Sequence, residues 1–285
     1  MKIGMLTGLW HVAEGASAVS SLERAAALGF QHVDLHGVFH AGPAHLTAVE
    51  RQAVGRTLER LNLSPRNYVL HPRHNIPGAS EAEAAEDLAY LEEGMDLASS
   101  WGISQIMLNA GQWVPGLSRQ TAWSRAVRFL RRVCEAANDR SMYIAQEPEP
   151  YVWFLVNDLT GAAMLAADVD CPNFTTLIDL GHMALARESA MDMMSVARTI
   201  IHAHLSDHQP TQHTNQVVGT GFTPTAEYLD ALRRLEAEGV FHHFHFGDLV
   251  ASFELGVPGD TIADPDDWVR RSLEHVLQIA PYMTM

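Results

Sequence analysis

Along this chain, short apolar runs alternate with longer stretches in which apolar residues recur at helical spacing, and the alternation continues from one end to the other. The runs predict eight strands, at Lys2–Thr7, His32–His36, Tyr68–His71, Gln105–Asn109, Met142–Glu147, Thr175–Asp179, Ile201–Leu205 and Ala251–Leu255. The periodic stretches predict eight helices, at Ala18–Leu28, Leu46–Leu61, Ala82–Ser100, Ala122–Asn138, Val156–Ala167, Ala190–Arg198, Thr225–Glu238 and Pro265–Ile279. Eight strand–helix units match a (β/α)8 barrel joined by right-handed crossovers. A doubly wound sheet is the competing architecture. Against it, no Gly-x-Gly-x-x-Gly follows the first strand, and Gly219-Thr-Gly221 lacks both the third glycine and the strand context. No Pro-, Gly- or Ser-rich linker divides the chain. The expectation is an α/β protein, a single (β/α)8 TIM barrel domain over residues 1–285.

With 47% apolar and 19% charged residues, the 285-residue chain is too rich in core material for disorder and needs no metal or disulfide merely to hold its fold. The sum of 19 basic and 34 acidic residues is −15, a field that repels polyanions, so nucleic acid is not expected as a partner. Arg131, Arg132, Arg233, Arg234, Arg270 and Arg271 fall in helical patterns and read as solvated faces. Lys2 is the single lysine, at the entry end of the first strand, which argues against Schiff-base chemistry. A Gly-Lys-Ser/Thr phosphate loop is absent. Cys134 and Cys171 suggest neither a disulfide framework nor a thiolate zinc site. The expected location is the cytoplasm, and no targeting or membrane segment is predicted.

Side chains at the carboxyl ends of barrel strands converge on one mouth, so the residues closing each strand carry the candidate chemistry. The fifth strand ends in Glu147-Pro-Glu149, the sixth in Asp179-Leu-Gly-His182, the seventh in His204-Leu-Ser-Asp207 and the eighth in Glu254-Leu-Gly. Carboxylates meeting in a small apolar mouth repel one another unless a cation offsets them, and a divalent metal is the simplest offset. Two Glu, one Asp and one His form an oxygen-rich donor set that suits Mn²⁺ or Mg²⁺ and tolerates Co²⁺ or Zn²⁺.

On these residues the sequence resembles the xylose isomerase-like barrels, which include ketose 3-epimerases, hydroxypyruvate isomerase and inosose dehydratase. The resemblance covers nearly the whole chain and rests on Glu147-Pro, Asp179-Leu-Gly-His182-Met, His204-Leu-Ser-Asp207 and Phe253-Glu254-Leu-Gly in the family order. It implies that Glu147, Asp179, His204 and Glu254 hold one divalent ion, Mn²⁺ foremost. It implies further that Glu147 and Glu254 exchange a proton beside the substrate carbonyl, and that His182 orients a sugar substrate. The implied activity is a metal-dependent isomerase or epimerase acting on a ketose-like polyhydroxy carbonyl through an enediolate, and a homo-oligomer is expected.

The resemblance also thins in places. Pro210 stands where ketose 3-epimerases carry a substrate-gripping arginine, and Trp153 where they carry a second glutamate, with Glu149 instead placed to face the cavity. The alternative is a lyase on the same site, dehydrating its substrate or cleaving an oxidised glycoside, with Glu149, His182 or His208 protonating the departing group. A non-catalytic barrel is the third class, disfavoured because all four ligand positions are filled. A metal-dependent endonuclease is disfavoured by Asn109 at the end of the fourth strand and by the acidic charge. Substrate-lining candidates are His182, His71, Trp113, Glu149 and His208, while Trp10, His36 and His74 are equally compatible with packing. Asp34 is expected to be buried by hydrogen bonding. Phe241–Phe246 reads as structural, the loop 206–224 as a mobile lid or subunit contact, and the acidic run 81–93 as a solvated helix face.

Overall fold

Eight parallel strands close into a barrel in sequence order, each paired with its neighbours, and the first meets the last through Lys2↔Val250 to Met5↔Phe253. The computed structural model describes residues 1–12, 15–240, 247–257 and 261–285. The strands are β1 (Lys2–Leu6), β2 (His32–His36), β3 (Ser64–Val69), β4 (Gln105–Leu108), β5 (Tyr143–Gln146), β6 (Phe174–Asp179), β7 (Ile200–Leu205) and β8 (Val250–Phe253). The surrounding helices are α1 (Ala18–Ala27), α2 (Ala48–Leu61), α3 (Glu81–Ser100), α4 (Arg119–Asn138), α5 (Leu159–Val169), α6 (Leu180–Leu185), α7 (Thr225–Ala237) and α8 (Pro265–Ile279). The Phe241–Phe246 tract lies outside the described residues. No helix among them is long and apolar enough to cross a membrane.

Helix starts follow local chemistry. Ser17, Thr47 and Ser80 each cap their helix with a reciprocal capping box, and Asp264 caps α8 ahead of Pro265 in the first turn. The sixth unit departs from expectation. Its helix, predicted at Ala190–Arg198, is instead the short α6, which starts directly on the last residue of β6, and Ala190–Ser195 forms a 3₁₀ segment. Asp179 causes this by accepting the His182 N–H at 2.7 Å, which turns the chain into helix at once. The acidic run on α3 is also not uniformly solvated: Asp87 is buried and accepts the N–H groups of Arg73 and His74, tying down the loop after β3.

Strand alternation separates two apolar layers. Ile3, Met5, Val33, Leu35, Tyr68 and Leu70 pack outward in the main core against the helices, while Leu6, Val69, Met107, Ala145, Leu177 and Ile201 form a second, smaller cluster. Glu147 and Asp179 stand two residues beyond Ala145 and Leu177, on the same side of their strands. The pleat therefore carries both carboxylates to the carboxyl mouth directly above that cluster.

Candidate functional site

Glu147, Asp179, His204 and Glu254 each offer a ligand atom, and these atoms all lie within 4.8 Å of one another. Their positions are set by the barrel's own ladder. The Glu147 N–H donates to Leu108 O and the Glu254 N–H to Leu205 O, so both glutamates leave the sheet with their backbones still paired. His204 Nδ1 is 3.0 Å from Glu147 Oε1 and 2.8 Å from Glu254 Oε2. Asp179 Oδ1 accepts from the His182 N–H and from Ser206 Oγ at 2.5 Å.

Burial pushes the Glu147 carboxyl up to about 7 and raises Asp179 as well. Burial works the same way on Glu254, but the adjoining His204 imidazole outweighs it and holds this carboxyl well below the ordinary range. His204 is desolvated too, yet the Glu147 and Glu254 carboxylates lift it well above the ordinary histidine value. Among the described residues Asp179 Oδ2 is buried with no hydrogen-bond partner. Converging carboxylates, one of them with an orphaned buried oxygen beside an imidazole nitrogen, fit a divalent cation.

The opposite edge of the His204 ring faces a buried carboxylate. Asp34 Oδ2 lies 2.7 Å from His202 Nε2 and 3.6 Å from His204 Nε2, and all three residues are essentially inaccessible. Asp34 is thus buried by polar contacts, as its position two residues before a strand end suggested.

Residues 206–224 are pinned in place. The buried Asp207 carboxylate accepts four backbone N–H groups, those of His208, Gly219, Gly221 and Thr223, at 2.7–3.0 Å. A Cβ at Gly221 would run into Asp207 and the His208 carbonyl, so the anchor requires glycine there. The loop expected as a mobile lid or subunit contact is thus tied to one buried charge. His208 also departs from its expected role at the substrate. Its Nδ1 accepts from the Thr214 and Asn215 N–H groups, so Nε2 carries the proton, and Nε2 lies 3.0 Å from Ser206 Oγ. With burial holding it down to about 2, this imidazole is a neutral structural link from the loop through Ser206 to Asp179. Gly181 completes the link, because a Cβ there would strike Ser206 Oγ and the His208 ring.

The other candidates separate by surroundings. His182 is buried, with Nδ1 3.0 Å from Pro148 O and Nε2 2.7 Å from His213 Nε2. Burial opposes its charge, but the carboxylates of Asp179, Glu149 and Glu147 lift it to about 9. Glu149, raised chiefly by burial, interacts with Asn109 and His182. His71 lines a cavity of about 510 Å³ that reaches Glu254, as does His36. Trp113 is 41% exposed and is not among the residues lining that cavity, its indole N–H donating to Leu117 O of its own loop. Trp10 and His74 are held by Asp266 and Asp87 respectively, as packing residues are.

Asn215 escaped the sequence reasoning altogether. It lines the same cavity and its amide donates to Glu254 Oε1 at 3.2 Å. Its backbone φ of 40° marks the tight turn that brings it there, a feature for which a lone Asn in a long loop gives little warning.

No curated protein sequence matches this chain. Among solved structures it is similar to a D-psicose 3-epimerase crystallised with D-fructose, at 17% identity, TM-score 0.78, and coverage of 98% of this chain and 99% of that one. It is also similar to the probable 3-DHS dehydratase AsbF of Bacillus anthracis, at 18% identity, TM-score 0.76, 98% and 99% coverage. The zinc-binding IolI protein gives 15% identity, TM-score 0.78, and 99% coverage of both chains. At such identities the likeness establishes the fold. The family model for the xylose isomerase-like TIM barrel matches residues 22–279, and the chain therefore belongs to that family.

Proposed function

We propose that this protein is a divalent-metal-dependent isomerase or epimerase that moves a proton on the carbon beside the carbonyl of a ketose-like substrate, through an enediolate. One observation carries the reading: two glutamates, an aspartate and a histidine from four successive strands bring their ligand atoms within 4.8 Å at the barrel mouth. Glu147, Asp179, His204 and Glu254 would hold the ion, Mn²⁺ by preference, with Mg²⁺, Co²⁺ or Zn²⁺ tolerated. When bound, it supplies Lewis-acid stabilisation of the negative charge that develops on the substrate oxygens, worth several kcal/mol.

The chain's own residues handle the proton. In this reading Glu147 and Glu254 form the acid/base pair: one accepts the proton from the substrate carbon and the other returns one to the opposite face, so no proton is consumed overall. Asn215 orients Glu254, and Asp34 fixes the His204 ring from behind.

A lyase on the same site is the second reading. The observation that favours it is the His182–His213 contact of 2.7 Å, which joins a buried imidazole to one lining the cavity and would let a proton pass to a departing group. Incubation of the Mn²⁺-loaded protein with D-fructose and D-tagatose in D₂O tests both. Deuterium on the carbon next to the carbonyl with the ketose retained supports the first reading; loss of water or of a substituent supports the second. Glu254→Gln should abolish exchange, and retained exchange would remove Glu254 from its role.

A further inference from the structure

A second group of charges lies outside the barrel, between α3 and α4. Arg125, Arg128 and Arg132 occupy positions i, i+3 and i+7 of α4, the spacing that stacks side chains on one helix face. Together they line a groove of about 170 Å³ with Ser80 and Glu81 at the start of α3 and the buried side chains of Ile76 and Phe129. None of these residues lines the cavity that reaches Glu254.

In a chain with 34 acidic and 19 basic residues, surface arginines find carboxylates readily, as Arg51 finds Glu93, Arg60 finds Glu23 and Arg140 finds Asp96. The three in the groove do not. Arg125 donates to the Pro77 carbonyl at 3.1 Å, and among the described residues Arg128 and Arg132 have no hydrogen-bond or ion-pair partner. Arg131, next to Arg132 in sequence, is by contrast taken up by the Asp168 and Val169 carbonyls. Arg132, expected on a solvated face, is half-buried at the groove instead. Glu81 is the one acidic residue lining it and pairs with none of the three. Three guanidinia against one carboxylate leave a local charge of +2 in a chain whose net charge is −15.

Like charges held together without partners repel one another, and the apolar side chains beside them strengthen their pull on an anion. A guanidinium fork engages two oxygens of one anion at once. The 20-residue α3 begins at the groove, so its positive N-terminal end adds to the same field. The volume lies below the range that encloses drug-sized ligands, which selects a small charged group.

We infer that the groove between α3 and α4 binds a phosphoryl group, with Arg125, Arg128 and Arg132 as its counter-charges. A phosphate dianion matches the local +2, whereas a monocarboxylate leaves one positive charge unmatched. The site stands apart from the barrel mouth and does not rest on the reaction proposed there.

Calorimetric titration of the protein with inorganic phosphate, glycerol 3-phosphate and acetate tests this, in the presence of chelator so that no ion at the barrel mouth takes part. Phosphate or its ester should bind one to one with Kd below about 1 mM, and acetate at least about 10-fold more weakly. The tighter of the two phosphates identifies the source as the free ion or an ester. Arg128→Gln and Arg132→Gln should each weaken phosphate binding about 10-fold or more, because each removes a charge-assisted pair, while Arg119→Gln, on the same helix but away from the groove, should leave it unchanged. These side chains lie outside the core, so the variants should fold, and circular dichroism checks that they do. No saturation at about 10 mM phosphate, acetate binding as tightly, or full affinity retained in both Arg128→Gln and Arg132→Gln would overturn the inference.

Discussion

Replacing Asp179 with asparagine should separate metal binding from folding. In the wild type, Asp179 Oδ1 accepts from the His182 N–H and from Ser206 Oγ, while Oδ2 is buried without a partner and close to the other ligand atoms. An asparagine keeps the first oxygen and its two bonds and replaces the orphan with an N–H₂ donor facing carboxylates. The metal-free variant should therefore be unchanged or up to about 1 kcal/mol more stable, because a buried unpaired charge has been removed. Metal binding should move the opposite way. Loss of a partner that merely orients a ligand already costs about 10- to 100-fold in affinity, so loss of a charged ligand should cost at least about 100-fold. At Mn²⁺ equal to about 100 times the wild-type Kd, binding stabilises the wild type by about 2.7 kcal/mol and such a variant by about 0.4 kcal/mol. At about 2 °C per kcal/mol for a chain of this size, calorimetry should show a metal-induced rise in Tm of about 5 °C for the wild type and about 1 °C for Asp179→Asn. An undiminished rise, or a metal-free variant that loses more than about 2 kcal/mol, would refute the assignment of Asp179 as a ligand.

Gly181→Ala should cost about 1–3 kcal/mol by forcing apart Ser206 and His208, and should weaken Mn²⁺ binding as Asp179 shifts with them; urea denaturation and metal titration measure the two effects. Asp207→Ala strands four backbone N–H groups and should expose residues 206–224 to limited proteolysis at a concentration that leaves the wild type intact; an unchanged digestion pattern would mean that the loop is held elsewhere. Burial raises the Glu188 carboxyl to about 7, so its native form holds a proton more tightly than the unfolded chain does. Its contribution is fully present below about pH 4.5 and is lost as pH rises through about 7. Because the group is partly exposed, Glu188→Gln should gain about 1 kcal/mol at pH 8 and nothing at pH 4.5, with the Leu159 N–H still accepted. Equal stabilities at both values would contradict this.

Some of the molecule was legible in the sequence because it depends on local periodicity. Each of the eight strands overlaps its expected span, although β3 begins four residues before Tyr68 in the polar Ser64-Pro-Arg-Asn67, and seven of the eight helices overlap theirs, because strand and helix leave different spacings in the chain. The convergence of Glu147, Asp179, His204 and Glu254 was legible as well, since a barrel turns the last residues of every strand toward one mouth whatever the loops do. The sixth helix was not, because one side-chain oxygen on Asp179 restarts the helix at Leu180 and no periodicity records a six-residue element.

What tertiary structure alone decided concerns groups that meet across long separations. Glu147 and His204 are 57 residues apart, and His202 and Asp34 are 168 apart, so no window of sequence reports their contact or the electrostatic balance it sets. The same holds for the hydrogen bonds that tie the loop 206–224 to Asp207, and for the lining of the cavity, assembled mainly from the loops after β1, β2 and β8. Sequence spacing determined which residues reach the mouth, because strand geometry repeats every two residues. Which nitrogen faces which carboxylate, and which side chains line the cavity, followed from closure of the barrel, where burial removes water and leaves each polar group to its nearest neighbour.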